Sequence, residues 1–222
     1  MCGRFTLRAK LNQILAEFAV ESQEQDWEPR YNIAPSQPIP IIQNSQLRHV
    51  RWGLVPAWAD DSKIGNSLLN ARAETVAEKP AFRGAFKHGR CVIVTDGFYE
   101  WRKVGDAKQP YFIHLKTDRP FTFAGLTEHW QQGEQTIDSA TIITTVANEL
   151  MSDLHERMPV ILGAEARRVW LDPTVNDSEE LLGLLKPYPA AEMSAYPVSS
   201  LVNSPRNDVP QCLTEVKSSL LF

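Results

Sequence analysis

Short apolar runs, rich in Val, Ile, Thr and aromatic residues and separated by turn residues, dominate the chain. They predict extended structure over IPIIQ (39–43), HVRWGLV (49–55), CVIVTDGFYEWRKV (91–104), PYFIHLK (110–116), FTFAGLTEHW (121–130) and DSATIITTVA (138–147). GDAKQ (105–109) and QQGEQ (131–135) read as the loops of hairpins. Helical periodicity is confined to briefer stretches. Leu7, Leu11, Ile14, Leu15 and Phe18 fall on one helical face over 7–18, with Thr6 placed to cap it. PAFRGAFKHG (80–89) pairs Phe82 with Phe86 and stops on Gly89. NELMSDLHERM (148–158), AEARRVWL (164–171) and SEELLGLLK (178–186) complete the helices, the last capped by Asp177 or Ser178. Pro35, Pro38 and Pro40 forbid a regular helix in WEPRYNIAPSQPIP (27–40). After about Asn203 periodicity fades, and a loosely held tail is expected. Strands in neighbouring runs with helices inserted predict an α+β fold with antiparallel sheet, in a single domain over 1–222.

Composition narrows the function. The chain has 222 residues, 43% hydrophobic and 23% charged, ordinary values that argue against disorder and coiled coil. A net charge of −4 does not suit a protein that coats nucleic acid by bulk charge. The halves differ, however: residues 1–110 carry +3 and residues 111–222 carry −7. A polyanion site would be local and would draw on arginines of the first half, although chance alone can produce such an imbalance. Three cysteines, Cys2, Cys91 and Cys212, make no disulfide framework and fit a reducing compartment. There is no long apolar span, and the first twenty residues are too mixed in charge for a secretory signal, so a cytoplasmic protein is expected. The common nucleotide loops, the G-x-S-x-G elbow, C-x-x-C and H-E-x-x-H are missing. The five histidines stand far apart, and neither a metal nor a cofactor is called for.

Five segments carry chemistry. Removal of Met1 would leave Cys2 as an N-terminal residue with thiol and α-amine on adjacent carbons. The two groups titrate near 8.5 and about 7.7–8.0 when unperturbed, so both are partly nucleophilic at neutral pH. Such an aminothiol can attack an amide or condense with an aldehyde to a five-membered thiazolidine; a cysteine buried there by chance is the alternative. In TDGFYEW (95–101), extended backbone sets Phe98 and Glu100 on one face and Tyr99 and Trp101 on the other. A carboxylate among aromatics suits general acid–base work, or else pairs with an arginine. In SLLNARAET (67–75), Asn70 and Arg72 point the same way if extended, toward a carbonyl or a phosphate. The alternative is an Arg72 pair with Glu74 or Glu78. In SDLHERMP (152–159), His155 near a helix end could shuttle protons, or simply complement the dipole. RYNIAPSQ (30–37) offers Arg30 and Asn32 on a rigid loop.

Taken together, MCGRF, RYNIAPSQ, WGLVPAWA, LLNARAET, FKHGRCVIVTDGFYEW, KQPYFIHL and LHERMPVIL occur in an order and spacing that resembles the SOS response-associated peptidase (SRAP) family over about residues 2–200. The resemblance implies an α+β domain with a distorted antiparallel β-barrel-like core flanked by short helices. It implies a monomeric protein that recognises abasic sites in single-stranded DNA, including at junctions with duplex, and crosslinks to them through a thiazolidine. It also implies autoproteolytic loss of Met1 and a lyase-type side activity, with association with the nucleoid when DNA is bound. By position, Cys2 matches the nucleophile, Asn70 the asparagine that positions it, Glu100 the acid/base and His155 the proton-transfer histidine. Arg4 and Arg72 match phosphate-binding arginines, and Trp58 an aromatic that packs on bases. Arg157, Asn32 and Trp101 complete the expected DNA contacts. Met158 stands where the family often has a basic residue, and Asp60 and Asp61 make the loop after Trp58 acidic. Two other readings compete: an N-terminal-nucleophile cysteine peptidase or amidohydrolase, and a noncatalytic module for single-stranded DNA.

Overall fold

The structure, a computed structural model, describes residues 2–23 and 27–216. Two sheets build it. The first runs in spatial order β13 (Met193–Pro197), β9 (Ala107–Leu115), β8 (Gly97–Val104), β1 (Phe5–Leu7) and β3 (Arg30–Ile33). The second runs β12 (Arg157–Pro159), β11 (Gln135–Val146), β10 (Phe121–Gln132), β7 (Arg90–Thr95), β4 (Pro38–Gln43), β5 (Gln46–Trp52) and β2 (Glu21–Ser22). β5 also lies parallel to β11, Ser139 opposite Arg51 and Ala140 opposite Trp52. That pairing closes β11, β10, β7, β4 and β5 into a five-stranded barrel, which removes two of the edges an open sheet would expose. β6 (Asn70–Arg72) adds in parallel to the far end of β11.

The two long hairpins are local products of sequence. β8 and β9 turn through Gly105 and Asp106, and β10 and β11 through Gly133 and Glu134. Each loop opens on a glycine at φ 59°, the left-handed backbone that a two-residue hairpin needs and that side chains disfavour. The core fills the barrel and the gap between the sheets. Phe5, Trp52, Phe98 and Phe123 pack edge-to-face in its middle, with ring centroids 5.2 to 6.2 Å apart. Such a cluster buries apolar area at about 25 cal/mol per Å² and adds quadrupole complementarity. The helices are short: α1 (Leu11–Phe18), α2 (Arg83–His88), α3 (Glu149–Ser152), α4 (Ala164–Leu171) and α5 (Ser178–Gly183). Asp177 caps α5 by accepting from the backbone of Glu179 and Glu180. Among the described residues no helix is long and apolar enough to cross a membrane.

Four local expectations change. The helix expected over 7–18 starts at Leu11, and Leu7 ends a strand. Thr6 does not cap it, because its hydroxyl donates instead to the buried Asp96 carboxylate (2.5 Å). The run 91–104 breaks at Asp96 into β7 and β8, one in each sheet. The helix expected over 148–158 is a single turn, since residues 157–159 pair with β11 instead. Met158 is fully buried there, facing the core rather than a ligand. Residues 204–216 are tied down rather than loose; the rest of the expected tail lies outside the described residues. Asp208 accepts from the backbone of Tyr31 (2.5 Å) and Asn32 (2.9 Å) and pairs with Arg30, and Cys212 is fully buried.

Candidate functional site

β1 is only three residues long, yet it fixes the N-terminus. It pairs with β8 in the register Phe5 opposite Phe98 and Thr6 opposite Gly97, and Tyr99 N–H donates to the Arg4 carbonyl (3.0 Å). The chain ahead of it passes Glu100, and Cys2 is fully buried. Burial pushes the Cys2 thiol up, and the Glu100 carboxylate pushes it further in the same direction. Cys2 is therefore held as a neutral thiol. Asn70, at the head of β6, reaches across and donates Nδ2–H to the Cys2 carbonyl (3.0 Å). Its Oδ1 is buried and accepts no hydrogen bond among the described residues. Glu100 is 5% exposed, an ionisable group enclosed by β8 and its neighbours.

Period-two alternation in the segment after Leu69 organises the rim. Ala71 and Ala73 face the core, so Asn70, Arg72 and Glu74 face outward together. Ala73 N–H donates to Thr144 (2.9 Å), extending the ladder along β11. Arg72 is exposed, and its guanidinium makes no hydrogen bond or salt bridge among the described residues. Glu74 instead receives a bidentate pair from Arg157, at 2.6 and 2.9 Å. The Arg157 guanidinium holds the Glu74 carboxyl below its usual range. His155 lies between α3 and β12, not in a helix. Its Nδ1 accepts the Arg157 backbone N–H (3.0 Å), so the neutral ring carries its proton on Nε2.

The structure thus joins Asn70 to Cys2 directly, brings the Glu100 carboxylate near enough to act on the thiol, and sets His155 and Arg72 along the same end of β11. Other residues expected at a DNA surface are placed differently. Arg157 is 9% exposed, its guanidinium committed to Glu74 and to the Thr144 carbonyl (2.6 Å). Asn32 does not sit on a ligand-facing loop. It is fully buried in β3, and its Nδ2 donates to carbonyls of Val202, Ser204 and Asn207. Arg4 donates to Asn32 Oδ1 (2.9 Å) and to the carbonyls of Val202 (2.7 Å) and Asn203 (3.3 Å). Trp101 donates its indole N–H to Asn203 Oδ1 (2.8 Å), with the Arg4 guanidinium 6.0 Å from its ring centroid. Arg4, Asn32 and Trp101 therefore grip the segment around residues 202–207. Trp58 is 60% exposed, uncommon for so large an apolar ring, and is pinned by a hydrogen bond to Pro80 (3.4 Å) beside an open cleft of about 390 Å³ that Arg83 also lines. Asp61 caps the short helical turn after it by accepting from Lys63 N–H.

Sequence reasoning weighed Glu74 only as a partner of Arg72, whereas it pairs with Arg157, and it passed over Asp96. Glu74 was visible as the third member of the Asn70–Arg72–Glu74 alternation, but its partner lies 83 residues away. No local signal marked Asp96. Among the described residues no group of three or more His, Cys, Asp or Glu could hold a metal ion.

Known proteins resemble this chain along its length. Abasic site processing protein YoqW of Bacillus subtilis is 48% identical over 96% of this chain and 99% of its own. Abasic site processing protein HMCES of Gallus gallus is 34% identical, covering 98% of this chain and 78% of its own. Abasic site processing protein YedK of Escherichia coli is 31% identical over 97% and 100%. A crystal structure of a protein from Bacteroides thetaiotaomicron superposes with a TM-score of 0.90 at 29% identity, covering 97% of this chain and 100% of that one. The family profile of SOS response associated peptidase (SRAP) matches residues 1–205. With the family profile matched over most of the chain and relatives similar along its length, the chain belongs to the SRAP family.

Proposed function

We propose that the protein processes abasic sites in single-stranded DNA by covalent capture through Cys2 once Met1 has been removed. The observation that carries this reading is the Asn70 Nδ2–H bond to the Cys2 carbonyl with Glu100 beside the thiol. An abasic sugar opens to an aldehyde. The α-amine of Cys2 adds to it, and loss of one water gives the imine. The thiol then adds to the imine carbon, its proton passing to the nitrogen, and the thiazolidine closes. Asn70 Oδ1, buried and without an acceptor bond, is available to the amine hydrogens. Glu100 relays protons during ring opening and closure, and His155 offers Nε2–H to the sugar oxygen. A thiol held neutral suits a second-step nucleophile behind the amine. A peptidase would need the thiolate first, so the amidohydrolase reading is the weaker one.

DNA would be held by few charges. Arg72 is free to meet a phosphate, and Trp58 with the cleft beside it can stack an unpaired base, a sequence-tolerant grip. Arg4, Asn32, Trp101 and Arg157 support the site from behind. In Arg72→Ala, binding weakens and the slope of log affinity against log salt becomes shallower by about one charge. A titration at three salt concentrations checks this, and an unchanged slope removes Arg72 from the phosphate contacts. In Glu100→Gln, crosslinking slows by about 10²-fold while affinity for the same oligonucleotide stays within twofold or so. Parallel losses of rate and affinity would instead make Glu100 structural. The reading as a whole is tested by incubating the protein with an oligonucleotide bearing one abasic site and resolving the products under denaturing conditions.

A further inference from the structure

We propose that Glu74 is a positioning residue for His155, acting through Arg157. This rests on the reading that His155 serves the reaction at Cys2. Glu74, Arg157 and His155 form one connected chain. Both Glu74 oxygens accept from the two terminal nitrogens of Arg157, at 2.6 and 2.9 Å. The same guanidinium donates to the Thr144 carbonyl (2.6 Å), so it is anchored at once to the outward rim after β6 and to β11. Its side chain is 11% exposed while that of Glu74 is 48% exposed, so the guanidinium end of the pair is held inside and water reaches only the carboxylate. The backbone N–H of this immobilised residue is the donor to His155 Nδ1. Residues 153–156, which carry His155, belong to no helix or strand. The ring is therefore oriented by Arg157, and Arg157 by Glu74.

This arrangement assigns a tautomer. With Nδ1 occupied as an acceptor, the neutral His155 ring carries its proton on Nε2. Orientation of a proton donor to within a fraction of an ångström is worth more than its presence, because misplacement by about 1 Å can cost 10²-fold in rate. The rim also gains an economy of sequence: one alternating segment supplies Asn70 to the Cys2 carbonyl, Arg72 to solvent and Glu74 to Arg157.

The test substitutes Glu74→Gln, which offers one acceptor oxygen where the guanidinium uses two. Long-range ¹⁵N–¹H correlation spectra of the free protein report the His155 tautomer without any DNA. Wild type is expected to show the Nε2–H form alone, and Glu74→Gln a mixture. Crosslinking to the abasic oligonucleotide is expected to slow about tenfold, with affinity for undamaged single strands unchanged or tighter, because a negative charge has left the rim. The double variant with His155→Ala should be no slower than His155→Ala alone, whereas damage unrelated to the histidine would add to it. Arg157→Lys, a single point donor, should reproduce the tautomer mixture. An unchanged tautomer in both variants, or additive rate losses, overturns the proposal. If wild type forms no crosslink at all, the reading of function fails, while the tautomer comparison still decides whether Glu74 positions the ring.

Discussion

Cys2→Ala is expected to leave DNA binding nearly intact and to abolish covalent capture. The thiol is fully buried and, among the described residues, its only hydrogen-bond contact is a long one, 3.9 Å to the Arg4 carbonyl. Its removal deletes one buried atom and costs about 1 kcal/mol of stability, at the lower end of core truncations. Arg72, proposed to meet a phosphate, and the exposed ring of Trp58 lie on other segments and remain. What disappears is the atom that closes the ring. Without it the amine can still form an imine, but the imine hydrolyses and no product survives denaturation. Borohydride should rescue a bond in Cys2→Ala by reducing that imine, which separates the two nucleophiles of the aminothiol. Stable capture by Cys2→Ala without borohydride would show that the thiol takes no part.

Asp96→Ala is expected to be the most destabilising single change near the site, at about 3–5 kcal/mol, the range for breaking a buried charged network by removing one partner. Asp96 is 4% exposed and sits where β7 hands over to β8. Its carboxylate accepts from the Thr6 hydroxyl (2.5 Å) and the backbone of Arg8 (2.5 Å) and Ala9 (3.2 Å), and it pairs with Arg8 Nε (3.2 Å). The alanine variant removes this shared acceptor, leaving Thr6 only the Gly97 carbonyl (3.2 Å) and the part-buried backbone N–H groups of Arg8 and Ala9 without the carboxylate. β1 has only three residues and depends on this anchor for its register, so Cys2 loses its place before the barrel unfolds. A urea titration should show the midpoint falling with an unchanged slope, and crosslinking should fall at urea concentrations where the barrel is still intact. A loss under about 1 kcal/mol would mean that Asp96 does not anchor β1.

The hairpins were legible in the sequence because their information is local: runs of β-branched and aromatic residues on each strand and a glycine at the turn. So were the caps at Gly89 and Asp177. The misplaced boundaries share a cause. Leu7 satisfies both a helical and an extended period, and what decides is Asp96, ninety residues from Thr6. Residues 157–159 look like the end of a helix until β11 offers them a partner. Residues 204–216 show no periodicity because contacts such as the Ser204 and Asn207 carbonyls accepting from Asn32 hold them, and carbonyls leave no mark on a sequence. The site shows the same division. Cys2, Asn70, Glu100 and His155 belong to motifs whose residue types already imply chemistry. Whether a polar residue serves a ligand or its own chain is a question of long-range contact. Asn32 answers for the chain, and so do the guanidiniums of Arg4 and Arg157 in the packing seen here.

The most direct measurement is the mass of the intact protein before and after mixing with a single-stranded oligonucleotide carrying one abasic site, followed by digestion and fragmentation of the adduct. The account predicts a protein lacking Met1, a gain of one oligonucleotide less one water, and fragments that place the added mass on Cys2, with both its nitrogen and its sulfur blocked to alkylation. An adduct on a lysine, an adduct whose Cys2 thiol still alkylates, or no adduct on a protein that has lost Met1 would contradict it.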